Sequence, residues 1–459
     1  MTNKIWKIFC VLTFLLGLKS STICIPLESD THSEPSQSLS LGEATADANV
    51  PHDSEIYSSF KGYRVYRLQA NSTKAFDALV KLHDEGDLDF WKAPSFRGET
   101  DIMVNGNQEK ELKDFMGFYK IDNTVLIDDL DILMNGQRLG RLKSDGKAMS
   151  WTEYHYMETI FDWLDGLATF YPELVTLYTI GMTTDGNPLK LVKISVGRKD
   201  RHKPGVYIDA LYHGREWISA SVATWIINEL VTAPSRYSTL LKNFDFYIMP
   251  IMNPDGYAHS CNYNRLWRKS RKASGTWADF LGCRGVDLNR NFGFHFGGPG
   301  SGTIPCSLIY RGTHAFSEPE TSAVRDFIYE NRNVKWAAYF ALHSYGQKWM
   351  TPWGFTEVKP VDYDELIRVA RIGVAAIESH RGTKYDVGSA PDVLYMASGG
   401  SDDWFKGAAG CKYSYTIELP DYGFYGFLLP SWEIIPSANE TWFGISTALR
   451  SIARMRSYA

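Results

Sequence analysis

Apolar and polar positions change period along the chain, and the changes separate a small N-terminal unit from a large C-terminal one. Positions 62–68 alternate as a strand does, 73–83 repeat with helical spacing, and 102–104 and 124–127 are short apolar runs of strand type. Together they predict a small α/β domain of about 80 residues. From Trp151 the pattern coarsens. A helical period over 151–167 gives way to continuous apolar runs at 189–196, 206–211, 244–251, 336–342 and 413–419, with helical stretches between them. Runs of that length suit strands buried on both faces. Their alternation with helices over about 310 residues predicts one α/β domain whose central sheet is mixed, largely parallel and flanked by helices.

The ends and joints of these units carry their own signals. Lys4 and Lys7 precede the apolar stretch Ile8–Leu18, and Ser20, Ser21 and Thr22 follow it. This is the grammar of a leader peptide, expected over residues 1–23. The stretch is shorter than the roughly 20 residues that span a bilayer, so the expected destination is the extracellular space, with no membrane association once the leader is removed. Residues 24–57 are polar and read as a poorly ordered lead-in. The small domain is placed at 58–134 and the large one at 150–459. Between them, 135–149 mixes Gly136, Gly140 and Gly146 with Arg138, Arg141, Lys143 and Lys147, an exposed linker of the kind a trypsin-like protease cuts.

Composition narrows the classes. Hydrophobic residues at 44% and charged ones at 22% exclude a disordered or fibrous chain. A net charge of -5 lacks the basic excess of a nucleic-acid binder. Positions 84–131 hold 13 acidic and 5 basic residues, either a solvated face or the complement of a basic surface elsewhere. Cys10 and Cys24 fall in or beside the leader. Cys261, Cys283, Cys306 and Cys411 remain, an even number that suits an oxidising compartment and allows three pairings. Asn71 and Asn439 begin N-x-Ser/Thr sequons. A monomer is expected.

The chemistry gathers at strand ends. The buried-strand pattern 206–211 runs into Tyr212-His213-Gly214-Arg215-Glu216-Trp217, where His213 and Glu216 are close enough to grip one ion. Catalytic zinc takes three nitrogen or oxygen ligands and keeps a fourth position for water. A second buried strand, 336–342, ends at His343, which supplies the third. Alone, an H-x-x-E pattern is short enough to arise by chance. Its companions follow in fixed order: NPDG at 253–256, NRLWRK at 264–269, GVDLNRNF at 285–292, ALHSY at 341–345, YMASGGSDDW at 395–404 and TIEL at 416–419.

These motifs together resemble the zinc carboxypeptidases of the carboxypeptidase A and B family, over almost the whole chain. The resemblance implies that family's fold, preceded by an α/β open-sandwich activation domain that covers the site until the linker is cut by a trypsin-like protease. It implies one Zn2+ per catalytic domain held by His213, Glu216 and His343. It matches Arg215 and Arg268 to substrate and oxyanion arginines, and Asn289, Arg290 and Tyr395 to the grip on a terminal carboxylate. Tyr345 then belongs to the substrate-binding set and Glu418 is the general base. The substrate is the C-terminus of a peptide or protein. The family also has a bridge matching Cys283 with Cys306, which leaves Cys261 with Cys411.

At the position that sets terminal-residue preference in that family stands Asp402, similar to the B type, which favours release of Lys or Arg. The competing expectations are an A-type preference for aromatic or aliphatic residues, with Asp402 merely capping a helix from Ser401, a binding protein that keeps the fold without the activity, and an endopeptidase. The last would have no use for a carboxylate grip, and the second would be expected to have lost a ligand, the base or the grip.

Overall fold

A computed structural model of the protein describes residues 58–86, 88–95, 98–137, 139–140, 149–197 and 203–457. The leader, the lead-in, Cys10, Cys24 and the linker residues Arg138, Arg141, Lys143 and Lys147 lie outside the described residues. Among those that are described, no helix is long and apolar enough to cross a membrane.

The small sheet is built from β1 (Arg64–Gln69), α1 (Thr73–Glu85), β2 (Asp89–Lys92), β3 (Thr100–Val104), α2 (Gly106–Tyr119) and β4 (Asp122–Ile127), closed by α3 (Leu130–Met134). Its strands run in the order β2-β3-β1-β4, with every neighbouring pair antiparallel. One face is apolar, and Tyr66, Leu68, Ile102 and Val104 bury Leu79 of α1 and Leu112 of α2 beneath it. Sequence periodicity located β1, α1, β3 and β4 but passed over β2 and α2. β2 spans four residues, and α2 is mostly polar with only Leu112 and Met116 buried, so neither repeats an apolar face often enough to register.

After the short pair β5 (Leu139–Gly140) and β6 (Tyr154–His155), the large domain follows as α4 (Met157–Phe170), β7 (Val175–Met182), β8 (Pro188–Ile194), β9 (Gly205–Ala210), α5 (Trp217–Thr232), α6 (Ser238–Asn243), β10 (Asp245–Met249) and α7 (Pro254–Asn262). It continues with α8 (Pro319–Glu330), β11 (Trp336–Ser344), β12 (Lys348–Thr351), α9 (Tyr363–Arg381), β13 (Asp386–Ser389), α10 (Ala390–Val393), α11 (Ser401–Gly407), β14 (Tyr413–Leu419) and α12 (Ile434–Ser457). Eight strands form one sheet in the order β13-β12-β14-β11-β9-β10-β8-β7. The middle four, β14, β11, β9 and β10, are mutually parallel, and the sheet turns antiparallel at β12/β14, β10/β8 and β8/β7. This is the mixed, largely parallel sheet that the apolar runs predict. Apolar residues fill both faces, with Ile208, Phe340 and Ile417 on one side and Tyr207, Tyr339 and Ala341 on the other.

Two sequence expectations meet a different structure. Cys283 and Cys306 are bridged, with 4.6 Å between their Cα atoms. Cys261 and Cys411 are not: both are free, buried thiols, on α7 and beside α11, and they belong to different hydrophobic clusters. An even count of cysteines carries no information about a thiol that serves as a small apolar core residue. Second, part of the expected linker is docked. The Gln137 amide accepts from Arg265 Nε at 2.7 Å and donates to the carbonyls of Phe427 and Leu429 at 3.3 and 3.0 Å, while β5 pairs with β6.

One buried group makes the fold sensitive to pH. Glu320, in the first turn of α8, is 1% exposed and its Oε2 has no hydrogen-bond partner among the described residues. Burial, with Glu318 and Asp255 adding to it, pushes its pKa up from 4.5 to about 8. The folded state therefore favours the protonated acid. Its contribution to stability is complete below about pH 4.5 and is lost as pH rises through about 8. Calorimetry should show the melting temperature falling between pH 5 and pH 9, by a shift equivalent to a few kcal/mol. In Glu320→Gln that slope should shrink, with the gain confined to the alkaline side. An unchanged slope would remove Glu320 as its source.

Candidate active site

The parallel strands deliver the chemistry to one end of the sheet, as open α/β sheets do. β9 leads through Leu211 and Tyr212 into His213. β11 carries His343 one residue from its end, and β14 sets Glu418 directly beside it in register. Adjacent positions on parallel strands point the same way, so His343 and Glu418 share a face.

Packing explains why the His213 loop has its sequence. Gly214 is pressed against the backbone of Gly256, where any side chain would collide with the Gly256 carbonyl. Asn253 caps α7 by accepting from Gly256 N at 2.8 Å, and its amide donates to the carbonyls of Tyr212 and Lys269 at 2.9 and 3.1 Å. Three of the sequence motifs thus lock together behind the site. A fourth, GVDLNRNF, begins with Gly285 at φ +77°, lying against the Ser270 carbonyl. It continues into a 3-10 turn, Leu288–Arg290, whose amide at Asn289 is capped by Asp287 at 3.0 Å.

At the centre, Glu216 bridges two imidazoles. Its Oε1 lies 2.6 Å from His213 Nδ1 and its Oε2 lies 3.0 Å from His343 Nδ1. All three side chains are buried, and one donor atom from each falls within 4.8 Å of the others. Burial would raise the Glu216 pKa, but the two facing imidazoles hold it well below the usual carboxylate range. Two imidazole nitrogens and an ionised carboxylate form a donor set that catalytic zinc takes. The outer nitrogens are occupied as well. His213 Nε2 is 3.0 Å from Asp287 Oδ1, and His343 Nε2 is 3.4 Å from Asn289 Nδ2. The ring of His343 also stacks on Tyr212, with centroids 5.3 Å apart.

Around this centre the other predicted residues fall into two groups. Arg268, Asn289, Arg290, Tyr395, Asp402 and Glu418 line one cavity with the three ligands. Arg268 donates from Nη2 to Asp287 Oδ2 at 2.7 Å and from Nε to the Leu308 carbonyl at 3.2 Å. The plane of Arg290 is fixed by the carbonyls of Gly300 and Asn289, at 2.7 and 2.9 Å, and its guanidinium lies 5.9 Å from the Tyr395 ring. Burial pushes Glu418 up to about 7, and its Oε2 has no hydrogen-bond partner among the described residues.

Arg215 and Tyr345 make up the second group, and both face the small sheet, with Tyr345 lining the cavity as well. Arg215 Nη1 donates to both oxygens of Asp89 on β2, at 2.9 and 3.1 Å, while Tyr345 donates to Asp101 Oδ2 on β3 at 2.7 Å. Between them Trp91 packs edge-on against Phe427 and Tyr345, with centroids 5.0 and 6.2 Å away, and with Lys92 it enters the lining of the cavity. Part of the acidic excess at 84–131 therefore does complement a basic group.

Sequence comparison agrees with this geometry. The zinc carboxypeptidase family matches residues 160–444, and the carboxypeptidase activation peptide matches residues 66–137. The chain belongs to the zinc carboxypeptidases. It is 47% identical over 298 residues to carboxypeptidase B of Astacus astacus, covering 65% of this chain and 96% of that protein. Carboxypeptidase A2 of Rattus norvegicus is 37% identical over 405 residues, 86% of this chain and 94% of that one. Among solved structures, carboxypeptidase A from Helicoverpa armigera superposes with a TM-score of 0.78 at 30% identity, over 86% of this chain and all but 2% of that one, which is 98% covered. Thrombin activatable fibrinolysis inhibitor gives 0.76 at 32% identity, over 86% and 100% of the two chains. The protein is thus a metallocarboxypeptidase zymogen with an activation peptide and a zinc cofactor, and it acts on the C-termini of peptides.

Asp287 is a residue of the site that the sequence did not single out, although it lies inside the motif GVDLNRNF. It is completely buried, and its two oxygens are shared between His213 and Arg268. Outer partners of metal-bound histidines typically tune metal affinity 10- to 100-fold. Asp287→Asn should therefore lose zinc to a competing chelator at roughly 10- to 100-fold lower chelator concentration. Equal retention by variant and parent would show that His213 needs no such support.

Proposed function

We propose that this zymogen is secreted, that a trypsin-like protease activates it by cutting between 138 and 149, and that the monomeric mature enzyme releases C-terminal Lys and Arg. The observation that carries the preference is Asp402. It lies in the first turn of α11, is 7% exposed, and lines the cavity together with Gly354, Ala390 and Thr416. Among the described residues no cation pairs with it. Burial raises its pKa, a cost that a substrate ammonium or guanidinium would remove. Gly354 and Ala390 leave room for a long side chain. Asp403, by contrast, is occupied structurally, accepting from the amides of Gly354 and Phe355 at 2.9 and 3.1 Å. The relatives include both A- and B-named enzymes, so the reading rests on this carboxylate.

In the proposed division of labour, His213, Glu216 and His343 hold zinc, which when bound polarises the scissile carbonyl and lowers the pKa of water. Arg290, with Asn289 and Tyr395, takes the terminal carboxylate through parallel charge-assisted hydrogen bonds and so sets the last peptide bond in register. Arg268 donates to the oxygen that gains charge during attack. Glu418 accepts a proton from the attacking water at Oε2 and passes it to the departing amine, a task suited to a carboxylate whose pKa is near neutrality. The β2 segment lies across this approach, so removing it opens the site.

Mass spectrometry of peptides ending in Lys or Phe, after trypsin treatment, tests the reading. One terminal Lys should be lost, and a zinc chelator should prevent it. Asp402→Ala should lower kcat/KM for the Lys peptide by on the order of 10²-fold or more while sparing the Phe peptide. Preferential loss of Phe from the parent would overturn the Lys/Arg assignment. A C-terminally amidated peptide that is still cleaved would overturn exopeptidase action.

The latch makes a separate prediction. Asp89→Ala removes the carboxylate partner of a buried guanidinium and weakens the hold of β2 by about 1–3 kcal/mol. After linker cleavage, activity should then appear with a shorter lag than in the parent, followed by a fluorogenic assay alongside gel analysis. An identical lag would show that other contacts hold the segment.

A further inference from the structure

The geometry points to a single N-linked oligosaccharide on this protein, attached at Asn71 and discarded with the activation peptide. The inference rests on the secretion proposed above, because the transferase that builds such linkages works in the secretory pathway. Of the two sequons, the fold leaves one open and closes the other.

Asn71 and Ser72 lie in the turn between β1 and α1 and Thr73 opens the helix, and all three are exposed. Ser72 is the N-cap of α1, with extended φ/ψ of -153° and 155°, and its hydroxyl accepts from Ala75 N. Asn71 therefore stands outside the helix and Ser72 is in extended backbone, with Thr73 exposed at the first helical position. Asn71 Nδ2 makes one hydrogen bond, to Asp122 Oδ2 at 2.7 Å, at an exposed position. A substituted amide keeps one N–H and can retain that bond. In contrast, Asn439 is wound into α12. Its neighbours Ala438, Glu440 and Thr441 are each 0% exposed, and Thr441 Oγ1 is buried without a hydrogen-bond partner among the described residues. The hydroxyl that completes this sequon faces the core, and Asn439 itself is half-buried.

The transfer uses a lipid-linked oligosaccharide diphosphate as donor. The bond from the anomeric carbon to the phosphate oxygen breaks, a bond from that carbon to Asn71 Nδ2 forms, and one Nδ2 proton leaves as the lipid diphosphate departs. No oxidant or reductant is needed. Asn71 precedes every basic residue of the linker, so cleavage there sends the oligosaccharide away with the N-terminal fragment and leaves the catalytic fragment bare.

Expression of the full chain in a eukaryotic secretory host, with enzymatic deglycosylation of protein from the medium, tests this. One mass step is expected on deglycosylation. It should be absent in both Thr73→Ala and Asn71→Gln and present in Asn439→Gln, and after trypsin treatment it should travel only with the N-terminal fragment. Thr73→Ala keeps the Ser72 cap, and trypsin-activated peptidase activity should equal the parent's, separating loss of the oligosaccharide from loss of folding. Secreted parent with no mass step, a step that survives Thr73→Ala, or a step on the catalytic fragment would each overturn the assignment. Because peptidase activity is read separately, such a failure is distinguishable from failure of the carboxypeptidase reading.

Discussion

A single buried carboxylate ties the metal centre to the rest of the site. Asp287 offers Oδ1 to the outer nitrogen of His213 and Oδ2 to Arg268, and Arg290 approaches the same oxygen at 4.0 Å. Its own pKa is held far down because Arg268, Arg290 and His213 outweigh the penalty of burial. A charge that is completely enclosed survives only when its partners are fixed. The fixing comes from Gly285, whose left-handed φ lets the chain pass the Ser270 carbonyl, and from the cap that Asp287 makes on its own turn. Arg268 and His213 are thereby oriented by one group, so neither can shift without disturbing the other.

Beneath this layer a second buried carboxylate plays a similar part. Asp209 accepts from Tyr212 at 2.7 Å and from Tyr339 at 2.9 Å, and Tyr212 is the ring on which His343 stacks. Burial pushes Asp209 up to about 7 despite these donors. Both imidazoles thus rest on polar networks that lie wholly inside the domain, which suits a site that must hold its geometry when the activation segment is removed.

Much of this was legible in the sequence because the determinants are local. Continuous apolar runs located the five longest buried strands, β8, β9, β10, β11 and β14, and the ligands stand at the ends of two of them. β12 and its neighbour β13 at the sheet edge were not visible, since four-residue strands have too little period to detect. The small sheet's β2 was missed for the same reason, and with it the latch. Nothing local marks Asp89 as the partner of Arg215, 126 residues away; only the coarse acidic bias of its segment pointed in that direction. Cys261 and Cys411 failed for a different cause, because counting cysteines presumes a role that burial alone can replace.

The latch also shows how latency and substrate binding can share one set of atoms. Arg215 is 1% exposed and its Nε has no partner among the described residues, so Asp89 is its principal charge compensation. Departure of β2 strips that carboxylate from a guanidinium that cannot be deprotonated and opens a path to it at the same moment. With the substrate role that the family resemblance implies for Arg215, a peptide carbonyl then meets a cation whose former partner has just been withdrawn, and Tyr345 loses Asp101 in the same event. On the roles that the family resemblance implies, the groups that hold the zymogen shut are also substrate-binding groups, and a change that tightens the latch by altering Arg215 or Tyr345 would alter substrate binding as well. Asp89 and Asp101 lie on the discarded side, and they are the positions at which latency can be tuned without that cost.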